Sequence, residues 1–587
     1  MSGSYAIAAV ALVALATVLI GGLGLRLSRT TSDFYVASRA VNPRVNGAAI
    51  SGEYLSAASF LGIAGLVLTD GAHGLWYPVG YTAGYLVLLF FVAAPLRRSG
   101  AYTVPDFAEA RLESARVRRT ASLLVIVIGW LYLMPQLYGA GLTLRTATGA
   151  PEWLGGVLVA VVVTANVLAG GMRSVTLVQA FQYWLKLTAL LVPLVFLLLA
   201  WRADGAPRAF DAGRPVFHRA AAVRVDQAVR IEVTEGVRVT VRGTVDGRAL
   251  DHEEFRLTVG RHTVGPRTVL DFPAGAAVPL RADGPPVADW GRPAATGSEP
   301  HPLYATYGLI LATFLGAMGL PHVVVRFYTS PDGRAARRTT LVVLGLLGVF
   351  YLLPPVYGAL ARLYAPDLAL TGNTDAAVLL LPERLIGGTG GALLGALLAG
   401  GAFAAFVATS SGLAVSLAGV LHQDFLRSPG VRGFRRAAAL AMAAPAVLTL
   451  VAPHLSIADA VGLAFAVAAS SLCPLLVLGI WWPRLTPAGA VVGALAGGGA
   501  ALVATALTMT GRFPDGWPHT LLAWPAVWTV PLGFLGMVAV SLATPGTVPP
   551  GTAATLARLH LPEPLTAEAP NPEQADPGPS KGRETER

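Results

Sequence analysis

The stretch NGAAISGEYLSAASFLGIAG, residues 46–65, departs from what a lipid-facing helix contains. Its middle holds a polar group within an otherwise apolar segment: Gly52, Glu53, Tyr54, Ser56 and Ser59. An ionisable residue at membrane depth is costly unless it faces a cavity or a partner, and a glycine and serine cluster lets a helix unwind and offer carbonyl oxygens to a cation. Two interpretations stay open, a cation site or a seam of small residues in which Glu53 pairs with another helix.

The composition is that of a membrane protein. Of the 587 residues, 54% are hydrophobic and 13% are charged, whereas a soluble domain has about 25% charged residues. The net charge of +10 lies mainly in short loops, where basic residues signal topology, so we expect the lipid bilayer and no nucleic acid as a partner. The only cysteine, Cys473, allows neither a disulfide framework nor a cysteine metal site.

We predict an all-α polytopic membrane protein, because apolar segments long enough to cross the ~30 Å hydrocarbon layer recur along the chain. There are about thirteen of these transmembrane helices, here called spans 1 to 13. They cover residues 5–24, 45–69, 74–95, 121–143, 153–171, 176–201, 303–325, 339–362, 388–420, 437–453, 457–482, 486–509 and 521–542.

Arginine-rich loops fix the predicted orientation in the plasma (inner) membrane. Three loops carry most of these residues and fall on one side of the predicted helices, which the positive-inside rule makes cytoplasmic. Their arginines are Arg97, Arg98, Arg111, Arg116, Arg118 and Arg119, then Arg334, Arg337 and Arg338, then Arg427, Arg432, Arg435 and Arg436. The N-terminus is then outside the cell and the C-terminus in the cytoplasm.

Two segments differ from the membrane helices around them. Residues 202–302 contain alternating runs such as VRIEV, VRVTVRGTV and FRLTV between turns, which predicts a small β-rich insertion on the extracytoplasmic side. A long loop without a ligand is the alternative. The segment 543–587 is rich in proline, glutamate, threonine and alanine, which predicts a disordered cytoplasmic tail. The membrane domain therefore comprises residues 1–201 and 303–542.

Two further spans carry polar patches. Span 9 contains Thr409, Ser410, Ser411 and Ser416; hydroxyl oxygens suit an alkali cation, although buried serines also bond to their own backbone. Span 7 contains GAMGLPH, residues 316–322, whose glycines and proline make a helix easy to break.

His322 ends this motif, and Arg326 follows just after span 7. We expect His322 to be a satisfied structural histidine, with a proton carrier as the alternative. We interpret Arg326 as an interfacial anchor rather than a carboxylate clamp.

Several motifs together resemble the solute:sodium symporter family (SSS), and most closely its cation/acetate symporter branch. These are GEYLSAASFLG at 52–62, GAMGLPH with RFYT at 316–329, GGMRSVTLVQAFQ at 170–182, SDFYVASR at 32–39, and span 9 leading into LHQDF. The resemblance covers about residues 30–200 and 303–540. It implies a LeuT-like core of two inverted five-helix repeats, at about 45–201 and 303–482, each beginning with a broken helix.

The resemblance also implies site residues. It assigns the coupling sodium ion to oxygen atoms of spans 2 and 9, contributed by Gly52, Leu55, Ala405, Ala408 and Thr409. Candidates for substrate binding are Ser56, Ala57, Tyr81, Gln136 and Gly319. Sugar and proline relatives have a serine where this chain has Ala408 and an aspartate where it has Gln179, so a proton is an alternative coupling ion.

The predicted function is cation-coupled, most simply sodium-coupled, symport of acetate or another small monocarboxylate into the cell. The partners would be a small organic anion and sodium or a proton, with no other cofactor. We predict no catalytic residues, because no nucleophile motif, metal-ligand cluster or phosphate-binding loop appears. A transporter-like membrane sensor, with the insertion or the core as its ligand site, is the alternative class.

The predicted orientation can be tested with protease. We expect protease added to intact cells to cleave the protein within residues 202–302, because the arginine-rich loops place this segment outside the cytoplasm. Cleavage that occurs in inside-out vesicles but not in intact cells would show that the orientation is reversed or the number of spans is wrong.

Overall fold

A computed structural model describes residues 3–27, 37, 41–208, 215–225, 228–282, 290–291, 293, 301–426, 430–451, 457–509 and 516–562. Helices before the insertion are α1 (Gly3–Leu27), α2 (Pro43–Tyr54), α3 (Ile63–Asp70), α4 (Trp76–Val87), α5 (Ala93–Arg98), α6 (Val104–Leu112), α7 (Ala115–Thr148) and α8 (Glu152–Ala203). Those after it are α9 (Pro302–Gly319), α10 (Pro321–Val325), α11 (Gly333–Tyr351), α12 (Leu353–Tyr364), α13 (Asp367–Thr371), α14 (Ala377–Leu385), α15 (Gly388–Val420), α16 (Gly430–Val451), α17 (Ile457–Ser470), α18 (Leu472–Trp481), α19 (Pro487–Met509), α20 (Trp517–Ala523), α21 (Ala526–Ala543) and α22 (Thr552–His560).

Within the described residues, ten helical segments are long and apolar enough to cross a membrane. Two of them include more than one predicted span: Ala58–Arg98 contains span 3 and part of span 2, and Glu152–Ala203 contains spans 5 and 6. The helix at span 10, Gly430–Val451, is not among the ten. The chain is thus a multi-pass membrane protein, and the number of thirteen spans stays a prediction.

Three helix interruptions shape the membrane domain. Helix α2 ends at Tyr54 because Leu55 is non-helical (φ −73°, ψ 83°), and the chain becomes helical again through a π-helical turn at Ala58–Gly62. Helix α9 ends at Gly319, where Leu320 is extended before Pro321 begins α10. Helix α8 breaks at Gly171, whose positive φ of 54° favours glycine.

Helix α15 lies at the centre, and small residues let its neighbours approach closely. A β-carbon at Gly401 would lie 2.3 Å from the side chain of Ala189 in α8. One at Gly412 would lie 1.8 Å from a carboxylate oxygen of Glu53 in α2. Close backbone approach through small residues is the usual way in which membrane helices gain packing energy.

Between α8 and α9, an antiparallel sheet forms from seven strands in the order β1-β6-β3-β5-β2-β7, with β4 paired to β3. The strands are β1 (Ala221–Val225), β2 (Val229–Val233), β3 (Val237–Val245), β4 (Arg248–Leu257), β5 (Gly260–Val264), β6 (Thr268–Phe272) and β7 (Leu280–Arg281). In β2, Val229, Ile231 and Val233 are buried and alternate with exposed residues, which gives the sheet one apolar face. Leu370 of α13 packs into the same apolar cluster.

The segment after α21 differs from its prediction. It was expected to be disordered from residue 543, yet residues 552–560 form α22. The guanidinium of Arg111 donates to the Thr552 hydroxyl at 3.1 Å, and Arg98 donates to the Leu559 carbonyl at 3.3 Å. These bonds and the burial of Leu559 anchor the helix, so this part of the prediction was wrong. Residues 563–587 of the predicted tail lie outside the described residues.

A histidine–aspartate pair joins β5 to the residue that follows β3. The Nδ1 atom of His262 lies 2.6 Å from Oδ2 of Asp246, and Asp246 also accepts from the Thr263 N–H at 2.8 Å. Burial lowers the pKa of His262, but its hydrogen bonds to Asp246 and to the Thr258 carbonyl outweigh burial, so this pKa is raised. Burial raises the pKa of Asp246, but the bonds from His262 and Thr263 lower it overall.

We expect the sheet to be least stable at alkaline and at strongly acidic pH. The contribution of His262 is complete below its unfolded pKa of ~6.5 and is lost as pH rises through the higher folded value. That of Asp246 is present above ~3.9 and is lost as pH falls through the lower folded value. Amide hydrogen exchange in β3 and β5, corrected for its intrinsic pH dependence, should show protection falling from about pH 6 to about pH 8. The same fall in His262→Gln would contradict this assignment.

Candidate functional site

The interruption of span 2 frees backbone polar groups in the interior of the membrane domain. Without water, each freed carbonyl or N–H there needs a partner from a neighbouring helix. The N–H of Ala57 donates to the Gln136 side chain of α7 at 3.0 Å. The carbonyl of Glu53 accepts from the Thr409 hydroxyl of α15 at 2.5 Å. Neighbouring side chains therefore replace the hydrogen bonds that the unwound helix gives up.

A lysine binds the two carbonyls of span 2 that were predicted as sodium ligands. The Nζ atom of Lys186 in α8 donates to the Leu55 carbonyl at 2.8 Å and also to the Gly52 carbonyl. The side chain of Lys186 is fully buried, with 0% exposure. A β-carbon at position 52 would lie 2.2 Å from the Gln179 carbonyl, so glycine lets α2 approach α8 closely.

The predicted ligands of span 9 lie opposite this lysine. Ala405, Ala408 and Thr409 are buried on one face of α15. The carbonyl of Ala408 accepts from the Gln179 amide at 2.7 Å. The bond from Thr409 to the Glu53 carbonyl then joins α15 to α2. The structure therefore brings the predicted residues of spans 2 and 9 to one junction.

Glu53 forms a buried ion pair with Arg326, which follows α10. The Arg326 Nε atom donates to the Glu53 carboxylate at 2.5 Å, and both side chains are almost fully buried. The same guanidinium donates to the Thr176 hydroxyl at 2.8 Å and to the Gln179 side-chain oxygen. The interpretation of Arg326 as an interfacial anchor was wrong, because its guanidinium is bonded to other helices and has no access to a membrane surface.

Four of the five substrate candidates lie around the break in span 2. Ser56 and Ala57 are part of the break, and Gln136 bonds to Ala57. The carbonyl of Tyr81 accepts from the Tyr54 hydroxyl at 3.1 Å, which ties α4 to the end of α2. Gly319 lies at the break of span 7, where a β-carbon would be 2.3 Å from the Ala468 carbonyl of α17. It packs on α17 rather than directly on this group.

Aromatic rings connect these two breaks. The ring centroids of Tyr81 and Phe465 are 4.8 Å apart, those of Phe465 and Tyr132 are 6.0 Å apart, and those of Tyr132 and His322 are 5.0 Å apart. Among the described residues, neither ring nitrogen of His322 has a hydrogen-bond partner, and the Tyr81 hydroxyl has none either. The expectation that His322 is satisfied was therefore wrong.

Sequence reasoning missed Lys186 and the partner of Glu53. One signal was available for the lysine: the sequence contains only two, Lys186 and Lys581. Nearly all other basic residues of the Lys and Arg set are arginines, and Lys186 lies inside an apolar span. For Arg326, the distance of 273 positions from Glu53 gave no local cue to the pairing.

Comparisons with known proteins support one family. The sequence model of the Sodium:solute symporter family matches residues 34–212 and 295–497. The uncharacterized symporter YwcA of Bacillus subtilis is 30% identical over 536 residues, which cover 89% of this chain and 90% of that protein. A monocarboxylic acid transporter of Corynebacterium glutamicum is 30% identical over 490 residues, which cover 80% of this chain and 77% of that protein.

A solved structure shares the fold. The substrate-bound, outward-open form of a Na⁺-coupled sialic acid symporter aligns with a TM-score of 0.62 over 92% of this chain and 97% of that one. At 15% sequence identity this likeness concerns the fold alone. It confirms the LeuT-like transporter fold that the sequence motifs predicted.

The ion pair can be tested by removing one partner. We expect Arg326→Met to destabilise the protein by ~3–5 kcal/mol, because it strands the Glu53 carboxylate in the interior. Adding Glu53→Gln should recover part of that loss. Unfolding of the purified protein in detergent measures both effects.

The control for this experiment is Arg145→Gln, which breaks an exposed pair with Glu152 whose atoms lie 2.6 Å apart. An exposed pair contributes ~0–1 kcal/mol. A loss in Arg326→Met no larger than in Arg145→Gln would contradict the burial of the Glu53 pair.

Proposed function

Because the chain belongs to the sodium:solute symporter family, we propose that it is a secondary active transporter of small monocarboxylates, with acetate as the first candidate. A cation moving down its gradient would drive the solute into the cell. Sodium is the first candidate for this cation because it gives the family its name, and a proton is the second.

The observation that carries the choice of substrate is the pair of unpartnered groups beside the two helix breaks. In the described part of the chain, the Tyr81 hydroxyl and the His322 ring are buried without hydrogen-bond partners. Buried polar groups without partners are costly and call for an explanation. A carboxylate accepts hydrogen bonds, and the phenol of Tyr81 or the imidazole of His322 could donate one to it. The aromatic rings between them suit the short apolar part of such an acid.

A relative supports the same substrate class. The protein of Corynebacterium glutamicum with 30% identity is named a monocarboxylic acid transporter. We propose that Ser56, Ala57, Tyr81, Gln136 and Gly319 surround the solute, with His322 added to this set. The sequence-based orientation places the entry side outside the cell.

Uptake of labelled acetate tests this proposal. Cells that express the protein should accumulate acetate faster than cells with the empty vector, and other short monocarboxylates should compete. Acetate uptake equal to the empty-vector control, together with clear transport of an amino acid or a sugar, would exclude this substrate class.

Two tyrosine variants sharpen the same experiment. Tyr81→Phe should raise the acetate KM roughly 5- to 150-fold, because one hydrogen bond of ~1–3 kcal/mol is lost. The control is Tyr357→Phe, whose hydroxyl already donates to the Leu190 carbonyl at 2.7 Å, and its KM should stay unchanged. Equal KM values for Tyr81→Phe and the wild type would remove Tyr81 from the site.

A further inference from the structure

The junction of α2, α8 and α15 holds the amino group of a lysine. Lys186 reaches across from α8, and its Nζ atom donates to the carbonyls of Gly52 and Leu55. Both carbonyls belong to the set that the family resemblance assigns to sodium. An ammonium group is a compact positive charge with three donors, so it satisfies carbonyl oxygens much as an alkali cation does.

Two of the three predicted ligands in α15 are also engaged. The Ala408 carbonyl accepts from Gln179 at 2.7 Å, and the Thr409 hydroxyl donates to the Glu53 carbonyl at 2.5 Å. A sodium ion in contact with Gly52 and Leu55 would lie beside the Lys186 ammonium, and like charges repel strongly in a buried site. The residues present do not fit a sodium ion at this position.

We propose that Lys186 replaces sodium at this junction and holds the broken span 2 against α15 without a bound ion. The positive charge that a bound sodium ion would supply is here part of the chain. One consequence rests on the proposed symport: sodium binding at this junction is then not the step that couples the cation gradient to solute uptake. The lysine's role itself does not depend on the solute.

The position of Lys186 in α8 supports this role. Thr176, Gln179 and Lys186 follow one another at intervals of three and seven residues, so they lie on one face of the helix. Thr176 and Gln179 bind the Arg326 guanidinium, and Lys186 binds the unwound backbone. One face of α8 thus binds both the Arg326 guanidinium and the freed carbonyls of span 2.

Thermal unfolding in detergent, in sodium chloride against choline chloride of equal concentration, tests the proposal. Lys186→Ala removes the ammonium and leaves space, so sodium should stabilise this variant by a few degrees more than it stabilises the wild type. Lys186→Met also removes the charge but fills the space, so it should not gain this response. Adding Thr409→Val to Lys186→Ala should abolish the gain, because the hydroxyl oxygen among the ligands is lost.

Equal sodium responses in the wild type and Lys186→Ala would overturn the proposal, as would a gain that Thr409→Val leaves intact. If Lys186→Ala does not fold, binding of labelled sodium to the wild type and to Thr409→Val decides the question. Equal binding supports the proposal, and weaker binding to Thr409→Val overturns it.

Acetate uptake by the wild type is measured separately from the sodium response. A protein that fails to carry acetate but shows the expected sodium pattern refutes the proposed function and keeps this inference. A protein that carries acetate but lacks the pattern does the reverse.

Discussion

A broken helix inside a membrane must find partners for the polar groups that it frees, and the centre of this protein is organised by that requirement. At the break in span 2, Lys186, Thr409 and Gln136 each bind a backbone group that a continuous helix would have satisfied internally. These side chains come from α8, α15 and α7. The relative positions of four helices therefore depend on a single unwound segment.

A buried ion pair also connects the two broken spans. The pair of Glu53 and Arg326 joins the end of α2 to the segment after α10, which ties the break in span 2 to the region following the break in span 7. Breaking such a pair in the interior is costly, so both partners must stay together or become hydrated together when the helices move. The pair therefore limits which arrangements of these helices the chain can adopt.

Repeated apolar segments were enough to identify a multi-pass membrane protein, and the family resemblance implied its LeuT-like fold. The glycine, serine and glutamate of span 2 left a helix break and a packing seam both open, and the family resemblance implied the break and the junction with Thr409. The partners were harder to predict. Arg326 was interpreted as an anchor because arginine near a helix end usually reaches the interface, and Lys186 lies in a span where only three-dimensional packing brings it to Gly52. The ordered helix α22 escaped prediction because its anchors, Arg98 and Arg111, lie far away in sequence.

A lysine of the chain is proposed to occupy the position expected for a bound cation. An experimentally determined structure at high resolution, in sodium chloride and acetate, tests it most directly. We expect continuous side-chain density from Lys186 to within hydrogen-bond distance of the Gly52 and Leu55 carbonyls. A separate ion peak surrounded by oxygen atoms of Gly52, Leu55, Ala405, Ala408 and Thr409, with Lys186 turned away, would contradict it.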